Sequence, residues 1–261
     1  MALEKFDQFH RIGQLLGADA VKRLHESFVM IAGVGAVGGY ALEALARAGV
    51  GRFRLADCDR ITESNINRQI LATHATVGAR KVEAARDRVL AIWPEAQVET
   101  VDALLNAGSI PEILTLGGKK PDLLIDAIDS LAPKVELLAA ALETGIPVLS
   151  SMGAALRTDP ARIRFGKLTD VTHCRLSMML RKRIRRKGVD TDRIPCVYST
   201  EPVREIRGTG AILPPGVSED NPRLHGRRRG TLGSLPTITG IFGLLLANQA
   251  VMRLTDGYRE T

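Results

Sequence analysis

Cysteine is scarce in this chain: Cys58, Cys174 and Cys196 are the only three among 261 residues. An odd, widely spaced set argues against a disulfide framework and for a reducing, cytoplasmic setting. It equally argues against structural zinc, which needs clustered ligands such as paired C-x-x-C, and the histidines supply no such spacing. The start of the chain, MALEKFDQFH, has no apolar stretch of the kind a secretory signal needs. Uninterrupted apolar runs are lacking too. The longest apolar segment, Leu235–Leu254, is broken by Pro236, Thr237, Thr239, Asn248 and Gln249. It reads first as a buried core helix, with membrane association left open. Acidic residues are the minority, 29 against 36 Lys and Arg, giving a net charge of +7 that favours polyanionic partners.

What is present is ample apolar material, 45% of the chain, in a repeating order. Residues 1–26 read as a polar helical lead-in. Residues 27–32 (SFVMIA) form a short apolar run that ends in glycines, as a buried strand does. A helix follows and closes at Gly49. Strands are expected at 53–57, 97–101, 123–125 and 147–150, and helices at 77–93 and 133–143. Strands and helices thus alternate over about 27–151, so the expected fold is α/β, a Rossmann-like doubly wound, mostly parallel sheet. Residues 156–261 are expected to add a C-terminal lobe to a nucleotide-binding core at 1–155 within one unit. That lobe holds a strand at 162–169, a basic helix at 173–187, a long mobile loop at 204–233 and a last helix at 236–254.

The chemistry concentrates where strands end. Gly33, Gly35 and Gly38 make a G-x-G-x-x-G turn between a strand and a helix, the context in which glycines let a phosphate approach the backbone. Asp57 ends the next strand roughly 20 residues on, where a carboxylate can accept ribose hydroxyls. These two features alone fit a NAD-binding protein as well. Asp59, the run Asn65-Ile66-Asn67-Arg68-Gln69, and Lys81 redirect the reading. Cations are needed where charge gathers on a triphosphate attacked at its α-phosphorus. The run Asp126-Ala127-Ile128-Asp129 closes another strand at the same sheet edge, and a carboxylate there can hold the Mg2+ of Mg-ATP.

Together, GVGAVGG, DCD, NINRQ, Lys81 and DAIDS resemble the ubiquitin-activating-enzyme-like superfamily, the ThiF/MoeB/HesA group, over about residues 9–155. The resemblance implies that the glycine loop, Asp57, Asp59, Asn67 and Gln69 bind ATP. Arg68, Lys81 and Asp129 would act on the phosphates and metal, and Arg11 would reach across a homodimer to the partner's ATP. Within the superfamily, EALARAGVGRFRLADCD, CVYSTE and the closing GTLGSLPTITGIFGLLLANQAV resemble the tRNA threonylcarbamoyladenosine dehydratases. This implies ATP-dependent cyclisation of that nucleoside beside the anticodon, through an acyl-adenylate. Ala36 and Gly39 depart from that group's usual Gly and Ser. The alternative is activation of the C-terminal glycine of a ubiquitin-like sulfur carrier, which the missing C-x-x-C pairs weaken. A sulfur-transfer partner stays open.

Two basic clusters fit either a solvated surface or tRNA phosphates. One includes Arg181, Arg185 and Arg186 on the basic helix, and the other includes Arg228 in the 204–233 loop. Cys196 reads as a packing residue rather than a thioester-forming thiol, since a cyclising substrate carries its own nucleophile.

Overall fold

The computed structural model describes residues 7–203 and 232–255. Phe28–Ala32 (β1), wholly apolar and wholly buried, is an interior strand of a seven-stranded sheet. Burial on both faces is what a parallel strand covered by crossover helices requires, and it explains the continuous rather than alternating apolar run. The other strands are Arg52–Ala56 (β2), Gln97–Val101 (β3), Leu123–Asp126 (β4), Val148–Ser151 (β5), Ile163–Lys167 (β6) and Pro195–Ser199 (β7). Their order is β3-β2-β1-β4-β5-β7-β6, parallel throughout except for the antiparallel β6–β7 pair at the edge. The order reverses between β1 and β4, and ligands of such sheets sit outside the carboxyl ends of the strands at that point.

Helices cover both faces: His10–Leu16 (α1), Ala18–Glu26 (α2), Gly38–Ala48 (α3), Lys81–Ile92 (α4), Ile110–Leu114 (α5), Leu131–Glu143 (α6), Arg175–Arg185 (α7) and Pro236–Leu254 (α8). The sequence places a helix from residue 77. It starts instead at Lys81, because residues 73–79 turn back on themselves through Gly78 at φ 88° and Ile61 accepts from Gly78 N. The short α5 and the strand β7 have no counterpart in the sequence reading.

The C-terminal part is tied into the sheet. Strands β7 and β6 extend it past β5, and α8 returns to pack on α3. Among the described residues α8 is the one helix long and apolar enough to cross a membrane. Ile238, Phe242, Leu246 and Ala250 nevertheless lie in the same core as β1 and α3. Gly243 permits this contact: a Cβ there would stand 2.3 Å from Val37 O and 2.7 Å from Tyr40 Cβ. The expected loop at 204–233, with Arg228, lies almost wholly outside the described residues.

Two basic side chains are fully buried within this core. Arg54 on β2 pairs with Glu99 at 2.7 Å and donates to the carbonyls of Ile113, Leu114 and Leu116, so it staples β2 to α5. Lys134 on α6 sits 2.6 Å from Asp126 at the end of β4. Buried charges survive only when paired and hydrogen-bonded, and both are.

Candidate active site

Three strand ends build the site. After β1 the chain turns at Gly33, whose φ of 85° suits glycine. Its amide donates to Ala56 O at the end of β2, and a Cβ there would stand 3.0 Å from Ala127 O. The start of α3 then passes so close to β1 that a Cβ on Gly38 would lie 1.8 Å from Gly33 O. Two of the three motif glycines are therefore demanded by the chain's own packing. Gly35 is not: its nearest neighbour, Gln69 Nε2, would be 3.7 Å from an added Cβ. Space over Gly35 that a methyl group would fill is what a closely approaching ligand needs. Among the described residues, the amides of Gly35, Ala36 and Val37 donate to no protein acceptor. They stand at the N-terminus of α3, where the backbone partial charge favours an anion.

Asp57, at the end of β2, is built into this turn. One oxygen accepts from Val34 N at 3.0 Å and the other from Asp59 N at 2.9 Å, and each keeps a lone pair for a ligand. Burial pushes its carboxyl above the ordinary value, opposed by the Lys81 ammonium and these backbone donors. Lys81 is the first residue of α4. Its side chain is 9% exposed and donates to Asp59 at 2.8 Å, while its amide donates to Asp59 O. Asp59, 63% exposed, thus holds the lysine at the rim of the site.

The 60s segment closes the other side. Thr62 and Asn65 form a reciprocal cap on a short helical turn. From it Gln69 is buried beneath Gly35, Asn67 reaches Ser234 O ahead of α8, and Arg68 donates to Ser64 O and Asn67 Oδ1, both at 2.9 Å. Asp129 lies exposed on the turn after β4, with Ser130 Oγ 3.3 Å away.

That turn is clamped by residues that sequence reasoning missed. Asp126 accepts from Ile128 N at 3.2 Å and from Ser150 Oγ at 2.7 Å, and Lys134 Nζ donates to Ile128 O at 2.9 Å. Both backbone groups of Ile128, the neighbour of Asp129, are therefore fixed by a buried charge pair. The first Asp of the D-x-x-D run and a lysine one helical turn into α6 were the available signal.

Not every expected residue falls here. Phe9 packs edge-on against Trp93, just past the C-terminal end of α4, whereas Lys81 opens that helix. Phe9 thus packs at a point roughly 18 Å along α4 from Lys81, from the rise of 1.5 Å per residue, and Arg11 follows two residues later in α1. Arg181 points inward, donating to Leu168 O and Val171 O at 2.9 Å, and Arg185 leans on Thr191 at 3.5 Å. Arg186 is exposed.

Cys196 is fully buried between strands, and burial pushes its thiol up to about 12. It carries too little thiolate at neutral pH to accept an acyl group. We expect a thiol reagent at pH 8 to label only the half-buried Cys58 in the folded protein, with Cys174 and Cys196 reacting after denaturation. Rapid native labelling of Cys196, read by peptide mass spectrometry, would contradict this placement.

A family model for the ThiF family matches residues 9–261. The chain belongs to the ThiF family, an assignment that agrees with the strand order and with the glycine loop facing Asp57. It is 34% identical over 200 residues to the tRNA threonylcarbamoyladenosine dehydratase of Bacillus subtilis, 77% of each chain being covered. It is 30% identical over 248 residues to tRNA threonylcarbamoyladenosine dehydratase 2 of Saccharomyces cerevisiae, covering 93% of this chain but only 55% of the yeast protein's length. The crystal structure of Escherichia coli tRNA N6-threonylcarbamoyladenosine dehydratase, TcdA, in complex with ATP superposes with a TM-score of 0.83 at 28% identity, covering 98% of this chain and 97% of that one.

Proposed function

We propose that this protein is an ATP-dependent tRNA threonylcarbamoyladenosine dehydratase of the cytoplasm, acting as a homodimer. The observation that carries the reading is the glycine loop, with room above Gly35 and three unengaged amides, beside a carboxylate and a lysine anchored at the next strand end. The relatives named for this reaction support the substrate.

In this reading the ribose of ATP is held by the free lone pairs of Asp57, and the phosphates lie on the amides of the glycine loop. Arg68 exchanges its contacts to Ser64 O and Asn67 for charge-assisted bonds to phosphate, which are roughly twice as strong as neutral ones. Asp59 holds the Lys81 side chain directed at the rim. Asp129 would hold Mg2+, which would supply charge neutralisation at the phosphates; an exposed carboxylate oxygen suits that cation. The threonyl carboxylate of the modified adenosine attacks the α-phosphorus, and the bond to pyrophosphate breaks. The carbamoyl nitrogen of the same nucleoside then attacks the activated carbonyl, loses its proton and displaces AMP. The second step is intramolecular, so positioning supplies much of its rate. In the homodimer, Arg11 of each protomer reaches the phosphates bound by the other.

The test is product analysis with tRNA bearing the nucleoside. AMP and pyrophosphate should form from ATP, and only with that RNA. ADP and phosphate, or thermal stabilisation by NAD rather than Mg-ATP, would exclude the reading; a ligand present at 100 times its Kd adds about 2.7 kcal/mol of stability.

A further inference from the structure

The outer face of α7 is a cationic stripe with two methionines set into it. The buried side of this helix is Ser177, Leu180 and Ile184. At 100° per residue, Arg175, Met178, Met179, Lys182 and Arg186 all fall opposite that side, within an arc of about 100°. Met178 is 58% and Met179 37% exposed, and the three cations are exposed as well. No acidic residue occurs from Arg175 to Arg185, and none of these three cations forms an ion pair among the described residues. Arg183, at the margin of the stripe, is likewise exposed and forms no ion pair among the described residues, whereas two neighbouring cations are engaged. Arg181 is spent on the chain's own carbonyls, and Lys187 pairs with Glu136 at 2.9 Å.

That last pair also locates the stripe. Glu136 is on α6, five residues past its first residue Leu131, which is roughly 8 Å along the helix axis. Arg186 adjoins Lys187, so one end of the stripe lies beside the helix that starts at the Asp129 turn.

We propose that this face of α7 binds the RNA strand flanking the reacting nucleotide, with Arg175, Lys182 and Arg186 on phosphates and Met178 and Met179 against the faces of unstacked bases. The inference rests on the tRNA reading above and names the surface that reading leaves unspecified. Phosphates explain unpaired cations on one face. Exposed, adaptable thioethers among them fit the splayed bases of a single-stranded loop, the form in which RNA bases are read. A lipid surface fits less well, because the apolar side of α7 is already committed to the core and only the charged side is free.

The experiment uses the full-length protein and an anticodon stem-loop RNA carrying threonylcarbamoyladenosine. The triple variant Arg175→Gln, Lys182→Gln, Arg186→Gln alters exposed side chains only, so its Tm and its stabilisation by Mg-ATP should match the wild type. Its RNA affinity, from fluorescence anisotropy, should fall more than tenfold. The slope of log K against log salt should become shallower by about 2, at roughly 0.7 per lost single-strand phosphate contact. The pair Met178→Ser, Met179→Ser should weaken binding several-fold with the salt slope unchanged. Unchanged affinity and slope in both variants, while the wild type still converts the nucleoside, would overturn the α7 surface and leave the dehydratase reading standing. A wild type that neither binds nor converts the RNA would overturn both. Loss of binding to anionic vesicles with RNA affinity retained would assign the stripe to a membrane and overturn the proposal.

Discussion

Replacing Lys134 with Met should destabilise the protein by about 3–5 kcal/mol, the usual consequence of removing one member of a buried ion pair. The methionine fills the space of the lysine stem, so the loss is electrostatic rather than a cavity. Asp126 would be left fully buried with only Ser150 Oγ and Ile128 N for partners. Ile128 O would lose its donor at the same time. Because Ile128 precedes Asp129, whatever fraction remains folded should also bind Mg-ATP less well. The double variant Lys134→Met, Asp126→Asn removes the stranded charge while keeping an amide able to bond Ser150. It should recover a large part of the stability and little of the nucleotide affinity. Urea unfolding of the two variants separates the effects. Equal stability of Lys134→Met and wild type would mean that the pair does not hold this turn.

The two glycine-loop substitutions should behave in opposite ways. Gly38→Ala places a methyl carbon 1.8 Å from Gly33 O, a backbone atom that cannot move without displacing β1 from α3. Overpacking of this kind costs about 3 kcal/mol or more, and we expect little folded protein. Gly35→Ala meets nothing closer than Gln69 Nε2 at 3.7 Å, and Gly35 does not adopt the left-handed backbone conformation. It should fold with nearly the wild-type Tm yet show no thermal stabilisation by Mg-ATP, because its methyl occupies the ligand's approach. Circular dichroism and thermal shift on the pair distinguish a glycine kept for packing from one kept for a ligand. Full ATP stabilisation in Gly35→Ala would move the nucleotide elsewhere.

Much of the site could be read from the chain because its chemistry sits at strand ends that local pattern reveals. The apolar run of β1, the glycines after it and Asp57 after β2 announce themselves by order and spacing, and the structure joins them through Val34 N. Lys81 was legible as a cation, but not its anchor on Asp59 or its place as the first residue of α4. What escaped was charge inside the core. Nothing local marks Arg54 as buried, since its partners lie on β3 and α5, dozens of residues away. Lys134 looks like an ordinary helix-surface lysine until β4 delivers Asp126 to it. The basic helix shows the same limit in reverse. Charge count alone could not separate Arg181, turned to Leu168 O and Val171 O, from Arg186, turned to solvent. Strand β7 was obscured by starting at a proline, which a central strand tolerates only at its first residue.

The most direct test of the proposed reaction is mass spectrometry of the nucleosides from tRNA carrying threonylcarbamoyladenosine after incubation with the protein and Mg-ATP. The expected result is loss of one water from that nucleoside with AMP formed in step, abolished in Arg68→Ala and Lys81→Ala. An unchanged nucleoside, with ATP demonstrably bound, would contradict the dehydratase reading and leave an adenylating enzyme with a different carboxylate substrate.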